Sequence, residues 1–331
     1  MRRRFADMRQ DSSWKQPYKY TNTLMKKGLI AWVTLVFCNL IWSFHFTSIK
    51  LTQDQVGPYF TVWAPMLLAT IFLLPFAIRD FKKGRKRIKD VLVFVQLGAL
   101  GAFPSQVFMT YGTQLSLASN AAILVLALPV ITAVFAFLIL KERMNGLRWA
   151  SFAIAILGVI LCSTDDIRQM DLGSRYAVGN LLIFLAIVGN AYYNVGCKKV
   201  AERFTEMEMV FYTYLVLVVM LTPMVLYYEP GMFAQVPHFT TRTWLGMTSL
   251  TLFHNFLSML LFFWVLKSLD ATQVALSNYM VSFLGLPISA FVLGERLSLQ
   301  SVIGGLLVLA ATLILTIVDH RTYRNTLKLN T

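Results

Sequence analysis

Phe137-Leu138-Ile139-Leu140-Lys141-Glu142-Arg143-Met144 and Ala290-Phe291-Val292-Leu293-Gly294-Glu295-Arg296-Leu297 are the two stretches whose reading decides the fold. Each is a Glu-Arg pair that closes a long apolar run, and each is followed within a few residues by another run. A shift of 153 residues lays Glu295 on Glu142, Arg296 on Arg143, Leu293 on Leu140, Ala275 on Ala122 and Ala271 on Ala118. The chain therefore reads as a doubled membrane unit. Internally repeated membrane proteins are most often transporters, with the solute site between the repeats.

Outward from those pairs, the composition sets the medium. Of the 331 residues 57% are hydrophobic and only 14% charged, too apolar for a fold in water. A membrane-spanning helix needs about 20 mostly apolar residues. Ten such runs are expected, at 28–49, 57–78, 91–111, 119–140, 147–163, 178–197, 208–228, 243–266, 271–293 and 299–318. They are continuous rather than alternating, which excludes a strand barrel and makes the chain an all-α polytopic membrane protein. With the N-terminus cytoplasmic, the inner segments hold 25 of the 30 Lys and Arg residues and the outer segments 5. Basic loops stay inside, so the split supports both the threading and a cytoplasmic placement of the two termini.

The expected organisation is a basic cytoplasmic tail over 1–27, a five-helix repeat over 28–163, an outer linker over 164–177, a second five-helix repeat over 178–318 and a tail over 319–331. Five is odd, so the second repeat enters the bilayer inverted relative to the first, the arrangement that lets two halves rock about a central site. The net charge of +14 calls for no nucleic-acid partner; basic loops are drawn to anionic headgroups of membrane lipids. Cys38, Cys162 and Cys197 lie in or at the ends of apolar runs without paired spacing and read as packing residues, so no metal and no cofactor is expected. The absence of any Asn-x-Ser/Thr sequon favours a bacterial cytoplasmic (inner) membrane.

Candidate binding residues come from polar stripes on apolar helices. In span 1, Asn39, Trp42, Ser43, Phe46 and Thr47 share one helical face, and in span 6 Asn190, Tyr193, Asn194, Cys197 and Lys198 repeat the spacing at an offset of 151. Such a face points to another helix or to a wet cavity, and its recurrence favours a cavity lining. In span 8, Thr251, His254, Asn255 and Ser258 share a face; the 153-residue shift places them over Gly98, Gly101, Ala102 and Ser105 in span 3. Asn278 and Ser282 form a further face in span 9, while His45 sits to the side of the Asn39 stripe. The expected pocket is thus Asn39, Trp42, Tyr193, Asn194, His254, Asn255 and Asn278, around a small-molecule substrate. All 16 Asp and Glu residues fall in tails, loops or span ends, which points to uniport or weakly coupled exchange, with histidine-mediated proton coupling as the lesser alternative. The Glu-Arg pairs read as charged punctuation at helix ends.

Ile41-Trp42-Ser43-Phe44-His45-Phe46-Thr47-Ser48-Ile49-Lys50 resembles the Trp-Gly-x-x-Phe-x-x-x-Lys ending of the first helix in EamA-type members of the drug/metabolite transporter superfamily. The stretch from Ala118 through Pro129 to Glu142-Arg143, and its partner from Ala271 to Ser298, are similar to that family's repeated signature. Ser43 stands where the family has Gly, Trp63-Ala64-Pro65 replaces a basic residue of the second helix, and Ser282 takes the place of a second Pro129. The resemblance implies two inverted five-helix bundles around a central cavity, and export of amino acids, other small metabolites or amphipathic compounds. A multidrug or nucleotide-sugar-type carrier of the same superfamily is an alternative. A membrane-embedded lipid-modifying enzyme is another, but it would need a His-Asp pair, a metal cluster or a carboxylate near the interface, and no His-Glu-x-x-His or Gly-x-x-x-x-Gly-Lys occurs. The expected protein is not an enzyme. Its oligomeric state is not written in the sequence.

Overall fold

A computed structural model describes residues 16–83, 88–140, 146–162, 175–200, 203–268, 279–296, 299–300, 302–311 and 313–314. The described residues are helical, joined by turns. In chain order the helices are α1 (Gln16–Ser43), α2 (His45–Thr52), α3 (Pro58–Lys83), α4 (Ile88–Leu97), α5 (Phe103–Leu115), α6 (Ala118–Leu124), α7 (Leu128–Leu140), α8 (Gly146–Cys162), α9 (Arg175–Val200), α10 (Glu206–Tyr228), α11 (Met232–Gln235), α12 (Thr241–Thr248), α13 (Met259–Ser268), α14 (Tyr279–Leu293) and α15 (Val302–Ala311). Seven continuous stretches are long and apolar enough to cross a bilayer: Ile30–Thr52, Pro58–Arg79, Val91–Leu115, Ala118–Ile139, Tyr176–Val200, Glu206–Tyr228 and Thr241–Val265. Three shorter apolar helices, Trp149–Gly158, Met280–Leu293 and Val302–Ala311, fall where the sequence places spans 5, 9 and 10. The outer surface is apolar: Phe291 is 92% exposed, Val219 64% and Leu306 60%. In water such a surface would drive aggregation; against acyl chains it is the expected finish.

Two apolar cores hold the bundle. One gathers Met66, Leu73, Phe94, Leu217 and Leu221 from α3, α4 and α10; the other gathers Leu124, Ile131, Ile183 and Ile187 from α6, α7 and α9. Helix α9 contributes to both, with Tyr193 and Cys197 in the first core and Ile183 and Ile187 in the second. It lies against α5 at backbone contact. A Cβ on Gly112 would sit 2.6 Å from the Gly179 carbonyl oxygen, and one on Gly179 would sit 2.8 Å from the Gly112 carbonyl oxygen. Further along, Gly189 meets the Gly101 carbonyl oxygen, so the two helices run antiparallel. Small residues permit this approach where lipid supplies no hydrophobic drive between helices.

Helix ends are tied locally and remotely. Thr205 and Glu208 form a reciprocal capping box at the start of α10, with Glu208 N–H donating to Thr205 Oγ1 (3.2 Å) and Thr205 N–H to Glu208 Oε2 (2.8 Å). At the start of α6, Leu117 offers no side-chain cap; instead Glu295 Oε1 and Oε2 accept from Ala118 and Ser119 N–H, both at 2.9 Å. Gly294, at φ +69°, ends α14 in the left-handed conformation, and Glu295 follows it immediately. In the same way Glu229, just past α10, accepts from Tyr59 (3.1 Å) and Phe60 (2.7 Å) N–H at the start of α3. The second Glu-Arg pair is thus more specific than punctuation: its carboxylate caps a helix 177 residues upstream. Glu142 and Arg143 lie outside the described residues.

Candidate functional site

The first spanning stretch is broken in its middle. Ser43 Oγ donates back to the Asn39 carbonyl (2.7 Å), a bond that competes with the helical ladder, and Phe44 N–H turns to Ile41 O (3.1 Å). Helix α1 stops at Ser43 and α2 restarts at His45. The break aims two side chains at the stretch between α12 and α13. Trp42 Nε1–H donates to Ser258 Oγ (2.8 Å), with its ring 4.9 Å from that of Phe262. His45 stacks on His254, ring centroids 3.7 Å apart and planes 14° from parallel. Trp42 and His254 each lie close to the midpoint of their spanning stretch.

Ser249–Ser258, which carries His254 and Asn255, is a π-helical segment. Each π turn shifts the backbone ladder by one residue, and such segments concentrate at functional sites. Asn255 fits the altered ladder: its Nδ2 donates to Leu250 O five residues back (2.8 Å), while Tyr214 OH donates to Asn255 O (2.9 Å) and Oδ1 (3.3 Å). A second π segment, Gly98–Ala102, joins α4 to α5. The 153-residue shift that aligned the Glu-Arg pairs carries it onto 251–255, inside the first. The smooth face of span 3 and the polar face of span 8 thus share one backbone irregularity. A Cβ on Gly101 would stand 2.9 Å from Tyr193 Cβ, so the smooth member is filled by α9.

Tyr193 faces Thr213 across the bundle, OH to Oγ1 at 2.8 Å, and Thr213 precedes Tyr214. Polar contacts therefore run from Trp42 through Ser258 to the His254–Asn255 segment, then to Tyr214, Thr213 and Tyr193. Beside this chain some buried polar atoms have no partner: both amide atoms of Asn39, which is fully buried, and His254 Nδ1; the Thr47, Thr113 and Ser119 hydroxyls are likewise unpartnered. More than nine in ten buried polar groups are hydrogen-bonded in folded proteins, so an orphan amide and imidazole one helical turn from the Trp42–Ser258 contact stand out as exceptions.

The structure brings Trp42 against the segment that carries His254 and Asn255, with Asn39 one turn away on α1. Asn255 spends its side chain on Leu250 and Tyr214, and Tyr193 its hydroxyl on Thr213. Asn194 is half-buried on α9 beside Tyr193, and Asn278 lies outside the described residues. Ser282 on α14 donates to the Ala122 carbonyl. His45, Ser258, Tyr214 and Thr213 are the participants that stripe reasoning did not select. Ser258 stood on the span 8 face already. Tyr214 and Thr213 carry no signal within their apolar run.

At the C-terminal ends of α2 and α5, Lys50 donates to Gln53 Oε1 (3.0 Å) and to Gln114 O (3.3 Å), in the wall of a recess of about 250 Å³ that also includes Ser116 and Tyr176. Gln55 closes the adjacent loop, accepting from Thr240 N–H (2.7 Å) and Thr243 Oγ1 (2.6 Å) and donating to His238 O (3.2 Å). Burial pushes the Glu229 carboxyl above its usual range, against the opposing pull of the Phe60 and Tyr59 N–H groups.

Residues 29–164 and 177–317 each match the EamA-like transporter family. Among characterised and uncharacterised relatives, the chain is 26% identical over 187 residues to the uncharacterized transporter YcxC of Bacillus subtilis (strain 168), a match spanning 55% of this chain and 57% of that protein. It therefore spans little more than half the length of that relative. Over 88% of this chain and 94% of the other, it is 24% identical to a probable terminal-alkyne amino-acid exporter of Streptantibioticus cattleyicolor. A solved crystal structure superimposes with a TM-score of 0.62 at 16% identity, covering 88% of this chain and 98% of its own, which is a likeness of fold.

Proposed function

The chain belongs to the EamA-like transporter family, and on that premise we propose that it exports small metabolites, amino acids or amphipathic compounds, by alternating access. In this reading ten helices form two inverted five-helix repeats, over 28–163 and 178–318, joined by an outer linker at 164–177. The tails 1–27 and 319–331 are cytoplasmic, and the membrane is the bacterial cytoplasmic membrane. The solute sits between the repeats against Asn39, Trp42, Tyr193, Asn194, His254, Asn255 and Asn278, with Trp42 as the aromatic wall and the amides and imidazole as hydrogen-bonding groups.

One observation carries this proposal: the amide of Asn39, one turn before Trp42, and Nδ1 of His254, one turn before Trp42's partner Ser258, are orphaned near the middle of two spanning stretches. Transporters of inverted-repeat build bind at that depth. The amino-acid class is supported by the exporter relative. The test is counterflow in proteoliposomes with a labelled pool of the twenty amino acids. Wild-type protein should exchange at least one of them, and Trp42→Ala and His254→Ala should each cut the rate about tenfold while remaining monodisperse in detergent. A purified protein that exchanges none of the pool but converts phospholipid would overturn the reading in favour of an enzyme.

A further inference from the structure

The least explained feature is the pair of histidines near the middle of two spanning stretches. Two imidazoles lie face to face at 3.7 Å, one on each side of the junction between span 1 and span 8, and each is carried by a backbone irregularity. His45 opens α2 directly after the Phe44 turn; His254 lies within the π segment. Apolar packing alone would not select this residue pair, because two phenyl rings would fill the same space without a polar atom to satisfy. His254 Nδ1 indeed has no hydrogen-bond partner. A ring nitrogen in that state offers the place where an N–H bond can form.

We propose that the stacked His45 and His254 rings are a single proton-binding site, at which one of the two imidazoles, but not both, carries a proton, and that carrier turnover is linked to it. The linkage rests on the transport reading above; the proton site does not. The step is a protonation: a ring-nitrogen lone pair takes H⁺ from water on whichever side the site is open, one N–H bond forms, and the same bond breaks when the proton leaves. An imidazolium lying on a neutral imidazole face keeps a favourable cation–π arrangement. A second proton would place two like charges less than 4 Å apart, and at an effective dielectric of about 20 it is held about 1,000-fold more weakly. The pair therefore titrates as a unit.

The surroundings leave that proton to the two rings. On the helices packed against them, the titratable groups are Tyr18, Tyr20 and Cys38 on α1, Lys50 on α2, Tyr111 on α5, and Glu206, Glu208, Tyr212, Tyr214, Tyr227 and Tyr228 on α10. Helix α3 has Tyr59 in its first turn and Arg79, Asp80, Lys82 and Lys83 at its other end, α12 has Arg242 in its first turn, and Lys267 and Tyr279 stand near the end of α13 and the start of α14. Lys19, Lys26 and Lys27 occupy the first half of α1. Cys38 Sγ is turned to Ser258 O (3.7 Å), Tyr214 OH to Asn255, and Lys50 Nζ to Gln53 and Gln114. The ring contacts of the pair are each other and Phe46, 5.3 Å from His45. Among the described residues, the acids Asp54, Asp80, Asp90, Glu206, Glu208, Glu229 and Glu295 lie in the first or last turns of helices or in turns between them. Ionisable groups within a bilayer mark proton and ion paths, and here these two imidazoles hold that position.

The experiment is ring-¹⁵N NMR of histidine-labelled full-length protein in nanodiscs across the pH range in which it stays folded, with assignments from single substitutions. Wild type, His45→Phe and His254→Phe, the phenyl rings keeping the stack filled, should each take up one proton at this site, and the double variant none. Two protons taken up independently by the wild type, or none, would overturn the proposal. Proteoliposomes carrying the labelled amino-acid pool then read the linkage. A pH gradient should drive net movement by wild type; flux by wild type indifferent to the gradient would sink the linkage. No flux of any pool member would instead count against the substrate class, while the NMR proton count still decides the site.

Discussion

Removing the Glu295 carboxylate tests the claim that the repeated Glu-Arg pair is a remote helix cap. In Glu295→Ala, two N–H groups at the start of α6, from Ala118 and Ser119, lose acceptors at 2.9 Å, and Leu117 has no side chain to replace them. Hydrogen bonds to charged groups contribute about 1.5–3 kcal/mol each. Glu295 is half-buried, so water recovers part of that, and losing an ordinary N-cap costs about 0.5–2 kcal/mol. The expected destabilisation is therefore about 2 kcal/mol, equivalent to about 30-fold in an equilibrium constant. Glu295→Gln keeps one acceptor oxygen without the charge and should lose about half as much. Reversible unfolding in bicelles measures the energy, and amide hydrogen exchange at Ala118 and Ser119 locates it. An alanine variant within about 0.5 kcal/mol of wild type, with unchanged exchange at both amides, would refute the capping argument.

Other consequences are as concrete. Burial raises the Glu229 carboxyl in the folded state, so its contribution to stability is full below the unfolded carboxylate range and is lost as pH rises through the raised folded value. The stability of wild type relative to Glu229→Gln, followed by thermal unfolding, should accordingly fall as pH rises from acid toward neutral. Gly112→Ala drives a methyl to 2.6 Å from the Gly179 carbonyl oxygen and should cost about 1–3 kcal/mol by pushing α5 and α9 apart. Gly146→Ala meets nothing within 4 Å and should be neutral or stabilising by up to about 1 kcal/mol, as side-by-side unfolding curves will show. Tyr214→Phe leaves Asn255 O and Oδ1 without their donor and should cost about 1–3 kcal/mol, with faster exchange of the π-segment amides as the local readout.

The polar stripes found in the sequence mark elements better than they mark partners. Trp42 and His254 each stand on a polar stripe of an apolar helix, and the fold brings both near the middle of their spanning stretches. Asn255 and Tyr193 stand on such stripes too, yet their side chains serve the bundle, one closing a π turn and the other bonding Thr213. Periodicity gives the face of a helix but not the rotation of the helix against its neighbours. His45 shows the cost of that gap. Counted along an unbroken helix it lies off the stripe, but the turn at Phe44 re-aims it onto His254.

What the sequence determined by itself is the medium, the secondary structure and the family. Lipid forces every backbone polar group into a local helical bond, so apolar run length, the distribution of Lys and Arg and the 153-residue self-similarity are one-dimensional records of a three-dimensional constraint. The tertiary structure alone decided which residues meet. The His45–His254 stack, the Trp42–Ser258 bond and the Glu295 cap on α6 join positions 177 to 216 residues apart. Those pairings depend on helix rotation, on the turn at Phe44 and on two π segments, and none of these leaves a periodic trace in the chain.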